Sequence, residues 1–245
     1  MSDAAPRLWA VVPAAGVGSR MASDIPKQYL QLGGRMVIEH SLNRLLQHPR
    51  IHGAVVVLGA NDEYWSRVRL DVEKPLLQVA GGAERCDSVL NGMTALVREA
   101  DTLGCDPDND WVLVHDAARP CVRQDDISRL IDRCLAQGVG GLLALPVRDT
   151  MKRQDTEGCV QATVDRNGLW HALTPQMFRL NMLRNALESA LTQKQQVTDE
   201  SSAMELAGYR PLLVEGHEDN IKITRLADLR LAELYLCEQD RCGDK

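Results

Sequence analysis

The chain has no surplus of positive charge. Its 245 residues carry 28 lysines and arginines against 34 aspartates and glutamates, a formal net charge of -6. No broad basic field is therefore present to recruit nucleic acid, and no polybasic tail to hold a membrane surface. Paired-cysteine signals are missing too. Seven cysteines, at 86, 105, 121, 134, 159, 237 and 242, are odd in number and scattered, with no CxxC and no spacing that joins the six histidines into a zinc site. They read as reduced thiols of a cytoplasmic protein. No apolar run approaches the ~20 residues of a membrane span. The opening MSDAAPRLWAVVPAAG makes a poor signal peptide, because it carries Asp3 and its apolar run is broken by Pro13 and Gly16. Internal repeats and low-complexity segments are absent as well. Any anion-binding chemistry must be built locally.

What is present is enough apolar material, 44% of residues, for a substantial core in a single domain spanning residues 1–245. Short apolar runs recur: LWAVVPA at 8–14, GAVVVLG at 53–59, WVLVHD at 111–116 and GGLLALPV at 140–147. Being continuous rather than alternating, they suit strands covered on both faces. Helical patterns lie between them. Val89, Leu90, Met93, Leu96 and Val97 share one helix face, as do Ile38, Leu42, Leu45 and Leu46. Alternation of this kind predicts an α/β fold with a mostly parallel sheet and helices on both faces. It falters at about 146–170, where PVRDTMKRQDTEGCVQATVDRNGLW is polar, rich in β-formers and punctuated by DTEG and RNG. A projecting β-arm of two short strands fits that stretch better than a helix does.

The first apolar run ends in VVPAAGVGSRMASDIPKQY, residues 11–29. A Walker loop is excluded, because no Gly-Lys follows Gly16 or Gly18 at the required distance. A dinucleotide fingerprint is weak: Met21 stands where its third glycine belongs, and Glu39, at the distance of a ribose-binding acid, sits inside a helical pattern. What remains is a strand entering a turn of small residues, Ala14, Ala15, Gly16 and Gly18, whose amides can approach a phosphate chain. Arg20 offers a planar fork and Lys27 a compact charge. Either the two cations meet one anion there, or both are solvated surface residues.

The blocks PAAGVGSRM, PKQYL, GGAERCDSV, VHDAARP, PVRDTMKR, TVDRNGLWHALTPQ, VTDESSAME and EGHEDNIKIT follow one another over roughly residues 8–236. In this order the sequence resembles the cytidylyltransferases that use 2-C-methyl-D-erythritol 4-phosphate. The resemblance implies a Rossmann-like nucleotidyltransferase sheet in which Arg20, Lys27 and Lys222 face the triphosphate of CTP, with a magnesium ion held mainly by nucleotide phosphates and no metal site on the protein itself. It implies that Gly82, Ala83 and Ser88 read the cytosine, Gly82 and residue 83 through main-chain groups and Ser88 through its hydroxyl. Ala83 departs from the acidic residue expected there. Asp116 and Arg119 are assigned to the ribose and acceptor region, and Thr174 to the acceptor pocket. The resemblance also implies that Thr150 and Arg166, on the arm, reach the site of a neighbouring subunit in a homodimer.

The implied reaction is attack of the acceptor's phosphate monoester on the α-phosphorus of CTP. A monoester whose second pKa is about 6 is already largely dianionic at neutral pH and needs no general base. The competing expectations are a cytidylyltransferase for ribitol or another polyol phosphate, and a non-catalytic nucleotide-binding module. His115 and His171 read as structural. Thr198 and Asp199 read as caps of a helix ending at Gly208. From residue pattern alone, Lys222, between Ile221 and Ile223, reads as an outward residue on a strand.

Overall fold

The computed structural model describes residues 5–16 and 25–243. Eleven strands are found among them: β1 (Leu8–Pro13), β2 (Gln31–Leu32), β3 (Arg35–Met36), β4 (Ile51–Leu58), β5 (Leu76–Ala80), β6 (Trp111–Val114), β7 (Gly141–Pro146), β8 (Met151–Gln154), β9 (Val160–Val164), β10 (Trp170–Arg179) and β11 (Leu212–Glu215). The helices are α1 (Val37–Leu46), α2 (Arg85–Arg98), α3 (Ala100–Leu103), α4 (Gln124–Gln137), α5 (Leu180–Thr192), α6 (Glu200–Leu206) and α7 (Leu226–Gly243). Seven strands form the main sheet in the order β11-β7-β10-β6-β1-β4-β5. All neighbours are parallel except β10, which runs antiparallel to both β6 and β7.

Why the strands read as unbroken apolar runs is visible in the two cores they feed. Along β1, Leu8, Ala10 and Val12 enter one cluster with the apolar faces of α1 and α4, while Trp9 and Val11 enter another with α2, α5 and α6. The same alternation divides Ala54 and Val56 from Val55 and Val57 on β4. Each buried Val or Leu removed from water contributes roughly 1.5–3 kcal/mol before the cost of ordering it. A third, smaller cluster seats α7 against Leu32, Val37, Cys121 and Ile223.

The stretch expected to be an arm is a two-stranded antiparallel hairpin, β8 with β9, in its own small sheet. Its strand residues are almost wholly exposed and join none of the three core clusters. Its placement follows from the direction of β10. Pro146 at the end of β7 pairs with Trp170 at the start of β10, so the chain leaves and re-enters the sheet at the same edge. That is the edge at which β1, β5 and β6 end. The expected strand around Lys222 is not formed: residues 217–224 are turn and irregular backbone following β11. The Ile-Lys-Ile alternation arises because Ile223 plugs the α7 cluster while Lys222 turns toward the sheet edge.

Glycine at 92 lets α2 lie close on the sheet. A Cβ there would sit 2.9 Å from Val11 Cγ1 and 3.0 Å from Val57 Cγ2. Replacing it by valine overfills this contact, and we expect Gly92→Val to lose about 1–3 kcal/mol, read as a lower urea midpoint with an unchanged slope. A midpoint equal to that of the parent would show that α2 is free to shift.

Candidate active site

Two cavities open along the edge where the parallel strands end. The first, of about 220 Å³, is lined by Ala14, Ala15 and Gly16 after β1, Lys27 and Gln28, the Gly82–Arg85 turn with Ser88, and Asp116 and Lys222. The second, of about 300 Å³, is lined by Arg119, Thr174, Gln176, Thr198 and Asp199. Arg85, Asp116 and Lys222 line both. The site thus has two compartments with a shared ionic wall.

Small residues build the first compartment by close packing. A Cβ on Gly81 would lie 2.4 Å from Ala15 Cβ, and one on Gly82 would lie 2.2 Å from Asp87 Cβ. The loop after β1 and the turn before α2 are therefore pressed together, and neither glycine needs a positive φ. Gln28 Nε2 donates to the carbonyls of Ala14 (2.7 Å) and Gly16 (3.1 Å), fixing the near end of the loop. Ser88 Oγ accepts from Gly82 N at 3.1 Å and donates to the Glu84 carbonyl at 3.1 Å. Its hydroxyl is thus engaged in shaping the turn expected to read the cytosine. Ala83 stands exposed on the rim. Gly18 and Arg20 lie outside the described residues.

Asp116 is the centre of charge. It is only 7% exposed, yet Arg85 Nε lies 3.0 Å from Oδ1, with Lys222 Nζ at 2.9 Å and Arg119 Nε at 3.5 Å from Oδ2. Burial alone would raise its pKa, but these three cations overcome that and hold the carboxyl well below the usual carboxylate range. Arg85 is in turn bidentate to Glu200, at 2.7 and 3.1 Å. Burial would weaken the guanidinium's hold on its proton, but Glu200 and Asp116 outweigh it and raise the Arg85 pKa. Arg119 also donates to the Asn220 carbonyl at 2.7 Å, and Asn220 Nδ2 to the Thr174 carbonyl at 2.8 Å.

Of the residues singled out in the sequence, the structure brings together Ala14, Ala15, Gly16, Lys27, Gly82, Ala83, Ser88, Asp116, Arg119, Thr174 and Lys222. It does not bring Thr150 or Arg166 to either compartment. Both are exposed on the arm, where Arg166 donates to the Arg148 carbonyl. Arg85, Glu200, Gln28 and Gln176 were missed, although each stands in or beside a quoted block. Their roles depend on pairings far apart in the chain, such as residue 85 with residue 200. Asp199 caps α6 as expected, accepting from Ser202 N at 2.9 Å, and its other oxygen also takes Gln176 Nε2 at 2.9 Å. Among the described residues, one group of three, Asp125, Asp126 and His217, has metal-ligand spacing. It lies outside both compartments, and the buried Asp126 carboxylate is already held by Arg129 and by the backbone and ring nitrogens of His217.

His115 is fully buried beside Asp116 and structural, as expected. A carbonyl only accepts, so Nε2, 3.0 Å from the Arg119 carbonyl, carries the ring proton. Nδ1 then accepts from the Thr174 hydroxyl (3.0 Å), whose oxygen accepts from Asp116 N at 3.1 Å. Burial pushes the His115 pKa down from 6.5 to about 4. The unfolded chain therefore takes up this proton first, and the stability due to neutral His115 is full above pH 6.5 and lost as pH falls toward 4. The loss is on the order of 3 kcal/mol. Urea midpoints of His115→Gln between pH 7 and 5 should accordingly fall less steeply than those of the parent chain; parallel slopes would refute the assignment.

Comparison with known proteins follows the same outline. The family model described as 2-C-methyl-D-erythritol 4-phosphate cytidylyltransferase matches residues 8–238. The protein of that name from Vibrio vulnificus (strain YJ016) is 52% identical over 235 residues, 96% of this chain and 97% of its own length. A crystal structure of 4-diphosphocytidyl-2C-methyl-D-erythritol synthase superposes with a TM-score of 0.81 at 36% identity, covering 94% of this chain and 99% of that one. The Francisella tularensis 2-C-methyl-D-erythritol 4-phosphate cytidylyltransferase gives 0.76 at 34% identity, covering 94% and 99%. A family model matched over residues 8–238 and relatives alike over almost the whole length agree: the chain belongs to the 2-C-methyl-D-erythritol 4-phosphate cytidylyltransferase family.

Proposed function

We propose that this enzyme transfers the cytidylyl group of CTP to 2-C-methyl-D-erythritol 4-phosphate, giving 4-diphosphocytidyl-2-C-methyl-D-erythritol and pyrophosphate for isoprenoid precursor synthesis. The observation that carries the reading is the pair of compartments divided by Arg85, Asp116 and Lys222. Two anionic substrates must meet at one phosphorus, and a cationic wall between two pockets is what that meeting needs. CTP occupies the compartment of the small-residue loop and the Gly82–Ser88 turn; the acceptor occupies the one lined by Arg119 and Thr174.

The chain's own residues position and neutralise. Lys27 and Lys222 border the nucleotide compartment, and the family resemblance assigns Arg20, outside the described residues, to the same phosphates. Neutralising charge that gathers around the α-phosphorus lowers the barrier more than it tightens ground-state binding. The main-chain groups of Gly82 and Ala83 select the base, so Ala in place of an acid costs little. No base is required of the protein, and buried His115, spent on the Arg119 carbonyl and Thr174, is not placed to be one. The donor set also suits magnesium arriving on the nucleotide. Of the carboxylates lining the first compartment, Asp116 has both oxygens committed to cations and Glu84, exposed on the rim, caps the start of α2. A bound magnesium ion supplies charge neutralisation on the triphosphate.

The arm fits a two-fold homodimer in the cytoplasm, with Thr150 and Arg166 completing the acceptor pocket of the partner. This reading rests on the family resemblance, on the absence of both residues from the lining of the two compartments, and on the exposed apolar residues of the hairpin, Val160 at 64% and Met151 at 36%. No described helix is long and apolar enough to cross a membrane.

Pyrophosphate release should require both CTP and methylerythritol phosphate, and ribitol phosphate in its place should give far less; equal rates would overturn the acceptor assignment. Lys27→Ala should lose on the order of a hundredfold or more in kcat with a smaller change in CTP affinity. Ala83→Asp should leave the preference for CTP over UTP nearly unchanged, and a large gain would show that the side chain, not the backbone, reads the base. Mixing Lys27→Ala with Arg166→Ala chains should restore activity through one intact site per mixed dimer. Failure after confirmed subunit exchange would place Arg166 in its own subunit's site.

A further inference from the structure

Arg85 lines both compartments, and a cation there invites the role of phosphate clamp. Three of its five N–H donors are already engaged. Nη1 and Nη2 are held by the two oxygens of Glu200, at 2.7 and 3.1 Å, which leaves Nε to face Asp116 Oδ1 at 3.0 Å. Glu200 is 1% exposed and stands 115 residues away on the first turn of α6. Burying a carboxylate is costly, and burying one beside a site for polyanions works against substrate binding as well. Nor does α6 need the pair in order to dock. Gln176 on β10 already bridges its N-terminus through Asp199 (2.9 Å) and Ser201 N (2.8 Å), and Ala203 and Met204 are in the core. What the fork does supply is orientation: it fixes the plane and direction of one guanidinium.

We infer that Arg85 and Glu200 are positioning residues for the transfer: Glu200 locks the Arg85 guanidinium, and Arg85 holds the Asp116 carboxylate at the angle from which it faces both substrates. Arg85 opens α2, directly after the turn assigned to the cytosine, and Glu200 follows Thr198 and Asp199, which line the acceptor compartment. The pair thereby ties the two compartments to one carboxylate. The inference rests on the reading of Asp116 as a group that meets substrate.

The two roles open to Arg85 give opposite signs when Glu200 loses its charge. A clamp on phosphate would be freed by Glu200→Gln, so substrate affinity would rise and kcat would hold. A positioning residue would be unlocked, so kcat should fall about 10- to 100-fold while both KM values stay within about threefold. Arg85→Lys keeps the charge and loses the fork, and should fall likewise. The pH profile supplies a readout that loosened packing would not move. Asp116 is faced by Arg85 from α2, by Arg119 and Lys222 from loops, and by His115 and Thr174 alongside, with Glu200 behind Arg85. Removing Arg85 takes away one of the cations that oppose its burial, so the Asp116 carboxyl of Arg85→Gln should protonate at a higher pH than in the parent. Carboxyl-carbon NMR reads this, with Asp116→Asn as the assignment control, apart from the acid limb of kcat, which the acceptor monoester sets.

Steady-state kinetics of purified, folded variants across pH decide the matter, with Asp116→Asn as reference. A folded Glu200→Gln with unchanged or increased kcat overturns the inference. If that variant does not fold, the double variant Arg85→Met/Glu200→Met removes both charges together, a change that buried pairs commonly tolerate. It should show the same loss of kcat, and parental kcat in it would overturn the inference equally. Parental activity in Asp116→Asn would instead remove the reading on which the inference rests, whatever Arg85 does.

Discussion

A single carboxylate, buried and outnumbered by cations, organises this molecule. Asp116 contacts Arg85, Arg119 and Lys222, which arrive from a helix start, a tight loop and an irregular segment near the C-terminal helix. Each of these cations would be expensive to hold in a half-buried cleft by itself, and like charges would drive them apart. Asp116 makes their convergence affordable, and the excess positive charge that remains borders the two compartments. The acidic net charge of the chain is compatible with this because the field is local, focused by apolar walls rather than spread over the surface.

The position of that carboxylate is overdetermined from below. Its backbone is held by Thr174, Thr174 by His115, and His115 by the carbonyl of Arg119, so the ion pair and the hydrogen-bond chain close on each other. The buried thiols of Cys105, Cys121 and Cys134, whose pKa values burial pushes up to about 12, share this pattern of groups kept neutral by the core. In the protein interior, charge is retained where an opposite charge meets it and suppressed elsewhere.

Much of this was legible in the sequence. The four apolar runs lacked alternation because β1 and β4 feed a core on each side, and the run at 85–98 showed a helix because its five apolar residues face one of those cores. The glycine pair at 81 and 82, between an apolar run and a helical pattern, is visible in the sequence, and its reason is contact with Ala15 and Asp87 rather than a left-handed backbone. The arm was announced by polarity with β-formers. What the sequence concealed was non-local. Nothing in WHALTPQMFR signals that it runs against its neighbours in mid-sheet, since burial on both faces looks the same in either direction. Lys222 looked like a surface residue because its partner lies in another segment. Arg85 and Glu200, 115 residues apart, carry no local signal of their pairing for the same reason.

The reversed strand has one more consequence. Because β7 and β10 are antiparallel neighbours already joined at Pro146 and Trp170, the sheet sees residues 147–169 only as a hairpin loop with its ends tied. Closure entropy grows with the logarithm of loop length, so doubling such a loop costs only about 0.6 kcal/mol. Had β10 been parallel, the same segment would have had to cross back over the sheet, and its length would have been fixed by that span. The subunit's own folding therefore places almost no constraint on how long the arm is or what its tip contains.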